Sequence, residues 1–247
     1  MARYLIVFDF DHSLIDENSD LYVIKLAPNG KLPKEIEGLY EDSGWMDYMS
    51  EIFKYLHKNG IQSQDILKCM SEIPLTPGMK ELLNFTGNTK CFDHIIISDS
   101  NSVFINQILE TYSLSSVINH IFTNPAKFDD VGCLTLEGYH AQDWCSLSTV
   151  NMCKGHILKD FLKKKQESGT DYAAILYVGD GYNDLCPSLT LQPQDYIFPR
   201  VGFRLNKLIS QMSKENMPVE RSSLKASVIP WESGLNILET VKSFSLN

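Results

Sequence analysis

The stretch "YLIVFDFDHSLID", residues 4–16, ends an apolar run on two aspartates one residue apart. Two unpaired carboxylates at the edge of a buried segment repel each other and resist desolvation, at a cost of several kcal/mol. A divalent cation removes that cost. A second acidic cluster, "YVGDGYND" (177–184), follows another apolar run and carries Asp180 and Asp184 with glycines between them. Carboxylate oxygens drawn from two strand ends are hard ligands that suit Mg²⁺, which keeps waters and accepts a phosphate oxygen. Asp184 is expected to support Asp180 or Lys154 rather than to ligate metal itself.

These residues need elements to carry them. The runs at 4–10, 94–98, 174–179, 196–199 and 227–230 read as strands, β-branched or aromatic and mostly without polar alternation, as a parallel sheet covered on both faces requires. Helical patterns at about 101–112, 153–168, 203–216 and 232–243 alternate with them, which predicts a doubly wound α/β sheet. "TLEGY" (135–139) is an extra strand or hairpin arm. In such sheets ligands bind at the carboxyl ends of the strands, where Asp9 and Asp11 fall. Spacing by two puts both side chains on one side of an extended backbone.

Between the first two strands the rhythm breaks. Residues 18–85 give helices at 45–60, 63–73 and 76–85, with Ser63 as an expected N-cap, and no convincing strand. This insertion is expected to be a helical cap domain of residues 18–85 over an α/β core of 1–17 and 86–247. Its Met and aromatic positions are expected to form its own core.

The 247 residues, 43% of them apolar, can bury a proper core, and the formal charge of −9 argues against a nucleic-acid partner. No apolar stretch approaches the roughly 20 residues that span a bilayer. Six scattered cysteines without a compact framework suggest reduced thiols and a cytoplasmic protein.

Four motifs in order resemble those of haloacid-dehalogenase-type phosphatases: "FDFDHSLID", "IIISDS" with Ser98, a lysine at Lys154, and "GDGYND". The resemblance implies that Asp9 is the nucleophile and forms an aspartyl-phosphate, and that Asp11 is the general acid and base. It implies that Ser98 and Lys154 bind the transferring phosphoryl group, and that Mg²⁺ sits on Asp9, Asp180 and the backbone carbonyl of Asp11. The second aspartate argues against dehalogenation, whose halide leaving group needs no acid. A phosphotransferase would keep every motif; a non-catalytic phosphate-ligand binding protein should have lost one of these groups.

A closer similarity runs through "DENSD", "FKYL", "PLTPGM", "ISDSNSVFI", "NMCK", "GDGYNDLCP", "FPR.G" and "SV.PWESG". It points to the group that contains phosphoethanolamine/phosphocholine phosphatase and its sister, pyridoxal phosphate phosphatase, and "IIISDSNSVFI" looks more like the sister. Substrate-binding positions of that group map onto Asp20 and Asp99. Two carboxylates also suit a cationic amino-alcohol head, so the residues alone leave the small phosphate ester open, and Asp20 has a plainer reading as a helix N-terminal acid. The chain departs from the group in "YHAQDWCSLSTVNMCK" (139–154), with Ser148 and Thr149 where Cys and Pro are expected. His140, Cys145 and Cys153 remain, and ordinary thiols beside a surface histidine are favoured there over a zinc site.

Overall fold

The computed structural model describes residues 2–39, 44–212 and 224–244, with only the backbone of Phe244. Six parallel strands form the central sheet in the order β3-β2-β1-β6-β7-β8. They are β1 (Tyr4–Phe8), β2 (Phe92–Asn101), β3 (His120–Asn124), β6 (Ala174–Gly179), β7 (Tyr196–Pro199) and β8 (Ser227–Val228). β4 (Ala126–Phe128) and β5 (Leu134–Leu136) make a separate antiparallel hairpin, which accounts for the extra strand expected near 135. β3 gave no clear sequence signal because it is five residues long, begins on a half-polar "HIFTN", and lies at the sheet edge.

The α-helices among the described residues are α1 (Ser19–Tyr22), α2 (Lys34–Glu37), α3 (Trp45–Lys58), α4 (Ser63–Ser71), α5 (Met79–Gly87), α6 (Ser102–Thr111), α7 (Lys154–Glu167), α8 (Leu185–Ser188), α9 (Arg204–Met212) and α10 (Gly234–Phe244). Residues 213–216 of the helix expected at 203–216 lie outside the described residues. The cap of α4 is Gln62, not Ser63: the Gln62 backbone N–H donates to the Asp65 carboxylate at 2.8 Å, which places Ser63 in the first turn.

β1 shows why strict polar alternation was missing. Ile6 and Phe8 face one apolar layer, which includes α5, α6, α10 and the helices of 18–73. Leu5 and Val7 face the other, built on α7 and α9 with Ile157, Leu158, Phe161, Leu205 and Ile209. Both faces are covered, so both sets of side chains are apolar.

The two segments that join residues 18–73 to the sheet pair with each other. Asp16 donates its N–H to Pro74 at 2.9 Å and Thr76 donates to Leu14 at 3.0 Å, with Ile15 opposite Leu75. α5 packs against α10 and β2. Two glycines explain the "TPGM" and "WESG" motifs there. A Cβ on Gly78 (φ +81°) would sit 2.6 Å from the Leu235 nitrogen, and one on Gly234 would sit 2.5 Å from the Gly78 carbonyl carbon. Backbone meets backbone at that point, which no larger residue permits.

Candidate active site

β1 lies between β2 and β6, so the chain leaves β1 to one side first and returns on the other. This is the switch point where open α/β sheets bind ligands. The strand stops at Phe8, two residues short of the run read from sequence. Asp9 stays tied to the sheet through its N–H to Val178 C=O, 2.8 Å. A wide turn, Phe10–Leu14, follows, with His12 in the left-handed region (φ 54°) and Ile15 N–H closing on Phe10 C=O at 3.1 Å. Asp9 and Asp11 therefore diverge on a turn rather than sharing one side of an extended strand.

Asp9 points to β6 and α7. Its carboxylate accepts the Phe10 N–H at 2.6 Å and meets the Lys154 ammonium at 2.6 Å. Lys154, the first residue of α7 and 1% exposed, also reaches Asp184 at 2.9 Å. Burial opposes the lysine's charge, yet Asp184 and Asp9 outweigh it and hold the ammonium above its ordinary pKa. Asp184 is saturated. One oxygen takes Lys154 and the Tyr177 hydroxyl (2.7 Å); the other takes the N–H groups of Asp180 and Gly181 (3.0 and 2.9 Å). A Cβ on Gly179 would collide with that carboxylate at 2.5 Å, so the glycine lets the loop fold over it. The geometry makes Asp184 the orienting group for Lys154 and for the Asp180 turn.

Asp180 keeps more freedom, with the Ser13 hydroxyl donating to it at 3.3 Å. Carboxylate oxygens of Asp9, Asp180 and Asp184 lie within 4.8 Å of one another. Three carboxylates against one ammonium leave two negative charges uncompensated. Burial, then Asp184, push Asp180 up to about 8, and burial with the neighbouring carboxylates pushes Asp9 well above its ordinary range. Those residues fit a hard divalent cation in donor type and charge.

Asp11 turns toward α1, where its carboxylate accepts the Ser19 N–H at 3.0 Å. Burial raises it to about 7, against the lowering effect of Ser19 and with a further push from Asp99. Ser98, fully buried in β2 three residues before its end, accepts the Ser100 N–H through its hydroxyl at 3.2 Å. Asp99 accepts the Asn183 amide at 2.9 Å, and its backbone C=O accepts Asn124 at 2.7 Å.

Asp20 is more than a helix N-terminal acid. It is 4% exposed in the first turn of α1, where the Trp45 indole N–H donates to it at 2.9 Å. Burial first, then Asp11, raise its pKa well above the usual carboxylate range. Trp45 also borders a cleft of about 780 Å³ that is lined as well by Gly138, His140, Ala141 and Ser148–Asn151. Asp20 is thus linked to the cleft through one indole.

Sequence reasoning missed Ser13, Trp45, Tyr177, Asn183 and Arg200. Arg200 follows β7, and its guanidinium donates to the His12 backbone C=O and to the Asp16 carboxylate while stacking on Phe203 and Trp231. It clamps the turn that bears Asp11. The only advance signals were the motifs "FPR.G" and "PWESG", which gave no role. His140 accepts the Cys153 N–H through Nε2 at 2.9 Å, and Cys145 and Cys153 gather instead around Cys186.

This constellation has relatives. A family model described as Putative Phosphatase matches residues 4–244. The pyridoxal phosphate phosphatase of Homo sapiens is 42% identical over 237 residues, 96% of this chain and 96% of that protein. The phosphoethanolamine/phosphocholine phosphatase of Homo sapiens is 36% identical over 236 residues, 95% of this chain and 86% of that protein. A substrate-bound phosphoserine phosphatase superposes with a TM-score of 0.59 at 16% identity, covering 97% of this chain and 99% of the other, and so shares the fold. The chain belongs to the Putative Phosphatase family, is a phosphoric monoester hydrolase, and has the fold of phosphoserine phosphatase.

Proposed function

We propose that the enzyme hydrolyses pyridoxal 5'-phosphate through an aspartyl-phosphate on Asp9, with Mg²⁺ as cofactor. The observation that carries the mechanism is the buried Asp9–Lys154–Asp184 line at the sheet's switch point. Lys154 orients the Asp9 carboxylate and neutralises the phosphoryl oxygens that approach it. One Asp9 oxygen attacks phosphorus as the ester oxygen leaves. Asp11, protonated in good part near neutrality, gives that oxygen its proton, and then takes one from the water that cleaves the acyl phosphate. Ser98 donates its hydroxyl to a phosphoryl oxygen. Asp9, Asp180 and the Asp11 carbonyl would hold Mg²⁺, which when bound adds positive charge beside the transferring group. This is how a chain of net charge −9 accepts an anion: the compensating charge is local.

For the leaving group, the similarity to pyridoxal phosphate phosphatase favours a pyridoxal ring, and the Trp45-lined cleft offers it an aromatic wall. Asp20 and Asp99 are proposed to bind its polar edge. The similarity to phosphoethanolamine/phosphocholine phosphatase supports a second reading, in which the same carboxylates meet a cationic head. Six free thiols suit a cytoplasmic setting. The test is phosphate release from pyridoxal phosphate, phosphoethanolamine and phosphocholine, each with and without Mg²⁺. A kcat/KM preference for pyridoxal phosphate supports the assignment, and preference for the amino-alcohol esters overturns it. An Asp9→Asn variant that kept full activity would sink the covalent route.

A further inference from the structure

Both ends of the Lys154–Asp184 pair are next to a cysteine. Cys153 precedes Lys154, and Cys186 follows Asp184 by two residues. Behind the pair these thiols meet a third. The Cys186 sulfur is 3.4 Å from that of Cys145 and 3.8 Å from that of Cys153, and all three lie within 4.8 Å of one another. The Ser148 hydroxyl is 3.3 Å from the Cys145 sulfur. A Cβ on Gly155 would sit 2.6 Å from the Cys186 sulfur, so a glycine at the second position of α7 is what allows the helix to bring Cys153 against Cys186.

These separations exclude a disulfide and leave room for a shared metal ion. Two thiolates bound tetrahedrally at about 2.3 Å from one zinc ion stand about 3.8 Å apart. A disulfide needs about 2.0 Å. The sulfurs lie near the first distance, and three converge where a disulfide would use two. Soft sulfur donors also select a different ion from the hard carboxylates of Asp9 and Asp180, so the two clusters do not compete for one metal.

We propose that Cys145, Cys153 and Cys186 form a thiolate site for one zinc ion, with the Ser148 hydroxyl at the fourth position. Each coordinating thiol gives its proton to solvent as the S–Zn bond forms. The site braces the 139–153 segment against the turn after β6. It is structural: it touches no substrate and holds in place the segments that deliver Lys154 and Asp184. With one neutral oxygen among its ligands it exchanges its ion more readily than a four-thiolate site.

The full-length chain, purified under reducing conditions from cells grown with zinc, should carry about one zinc per molecule by mass spectrometry of the metal. Exchange with Co²⁺ should produce a near-ultraviolet thiolate-to-cobalt charge-transfer band. That band should vanish in Cys145→Ser and Cys186→Ser and persist in Asp180→Asn, which separates the sulfur site from the carboxylates. To separate loss of the site from loss of the fold in the cysteine variants, Ser148→Cys supplies a gain: zinc transfer to a chelator should slow about tenfold or more as a fourth thiolate is added. No charge-transfer band, or a Ser148→Cys variant that releases zinc as fast as the parent, would overturn the site. So would a protein two hydrogens lighter with Cys145 and Cys186 joined as a disulfide.

Discussion

At the residue scale, the charge balance of the site governs both activity and stability. Asp9 and Asp180 are buried beside Asp184 with Lys154 between them, so without added metal the folded state carries like-charge repulsion. Asp180→Asn relieves it. The metal-free variant is expected to melt a few degrees higher than the parent while losing phosphatase activity, the trade-off seen where a site is built for function. Mg²⁺ at about 100 times its dissociation constant should stabilise the parent by about 2.7 kcal/mol, or roughly 5 to 10 °C for a chain of this length. Thermal melts of both proteins with and without Mg²⁺ decide the matter. A parent that ignores Mg²⁺, or a variant that still responds fully, would remove Asp180 from the ligand set. His94 is a second buried titrating group, far along β2 from the site. Its ring contacts the Thr86 hydroxyl at 2.7 Å, and burial lowers its pKa to about 4, with Asp93 opposing. Unfolding restores an ordinary pKa of about 6.5, so between these values the unfolded chain binds more protons. The stabilising contribution is therefore full above about pH 6.5 and lost as pH falls toward 4, by about 2 kcal/mol at pH 5. Urea midpoints at pH 7.5 and 5 should fall further for the parent than for His94→Gln. Equal falls would mean that His94 is not the group responsible.

At the scale of elements, the turn Phe10–Leu14 depends on a residue 188 positions further along the chain. Arg200 holds the His12 carbonyl and Asp16 from the end of β7 and is stacked against Phe203 and Trp231. Hydrogen bonds to a charged group contribute about 1.5 to 3 kcal/mol, so Arg200→Ala should lower kcat about 10- to 100-fold by loosening the turn that aims Asp11. KM should change less, because the phosphate contacts proposed for Lys154 and Ser98 do not involve the turn. Arg200→Lys should not rescue it, since a point charge cannot replace the planar fork and its stacking. A normal kcat in Arg200→Ala would show that the turn holds its shape unaided. The contrast with Asp9, Lys154 and Asp180 explains what sequence can reveal. Those three lie at ends of strongly apolar strands or at a helix start, so local pattern and order were enough to place them together. Arg200, Trp45 and Tyr177 act through contacts that appear only on folding. Arg200 meets Asp16 across 184 positions, and Trp45 meets Asp20 from a separate helix. The edge strand β3 was illegible for a different reason: five half-polar residues carry too little periodicity to be told from a loop.

For the whole molecule, the question is whether the proposed cap, residues 18–85, is an independent folding unit. Its apolar residues argue otherwise. Met49, Ile52, Phe53, Leu56 and Met70 belong to the same buried layer as Phe8, Ile96, Phe104 and Trp231. Phe53 meets Phe104 edge-on at 5.8 Å between ring centres, and Gln107 and Thr111 of α6 reach Ser71 at the end of α4. The paired linkers at Leu14–Asp16 and Pro74–Thr76 add backbone hydrogen bonds across the junction. A unit that shares its core in this way has little apolar surface that it buries by itself, so separating it costs nearly as much as unfolding everything. Hydrogen exchange in rising urea should then bring amides of α3 and of β2 to the same opening free energy, as one cooperative transition requires. If α3 amides instead exchange at least about 2 kcal/mol more easily, the cap opens as a separate unit while the sheet persists. The two outcomes carry different consequences for the proposed catalysis. A shared core would confine substrate entry to local movement of Trp45 and of the cleft wall at His140, Ala141 and Ser148–Asn151, whereas an independent cap would admit the phosphate ester by swinging clear of Asp9 and Lys154.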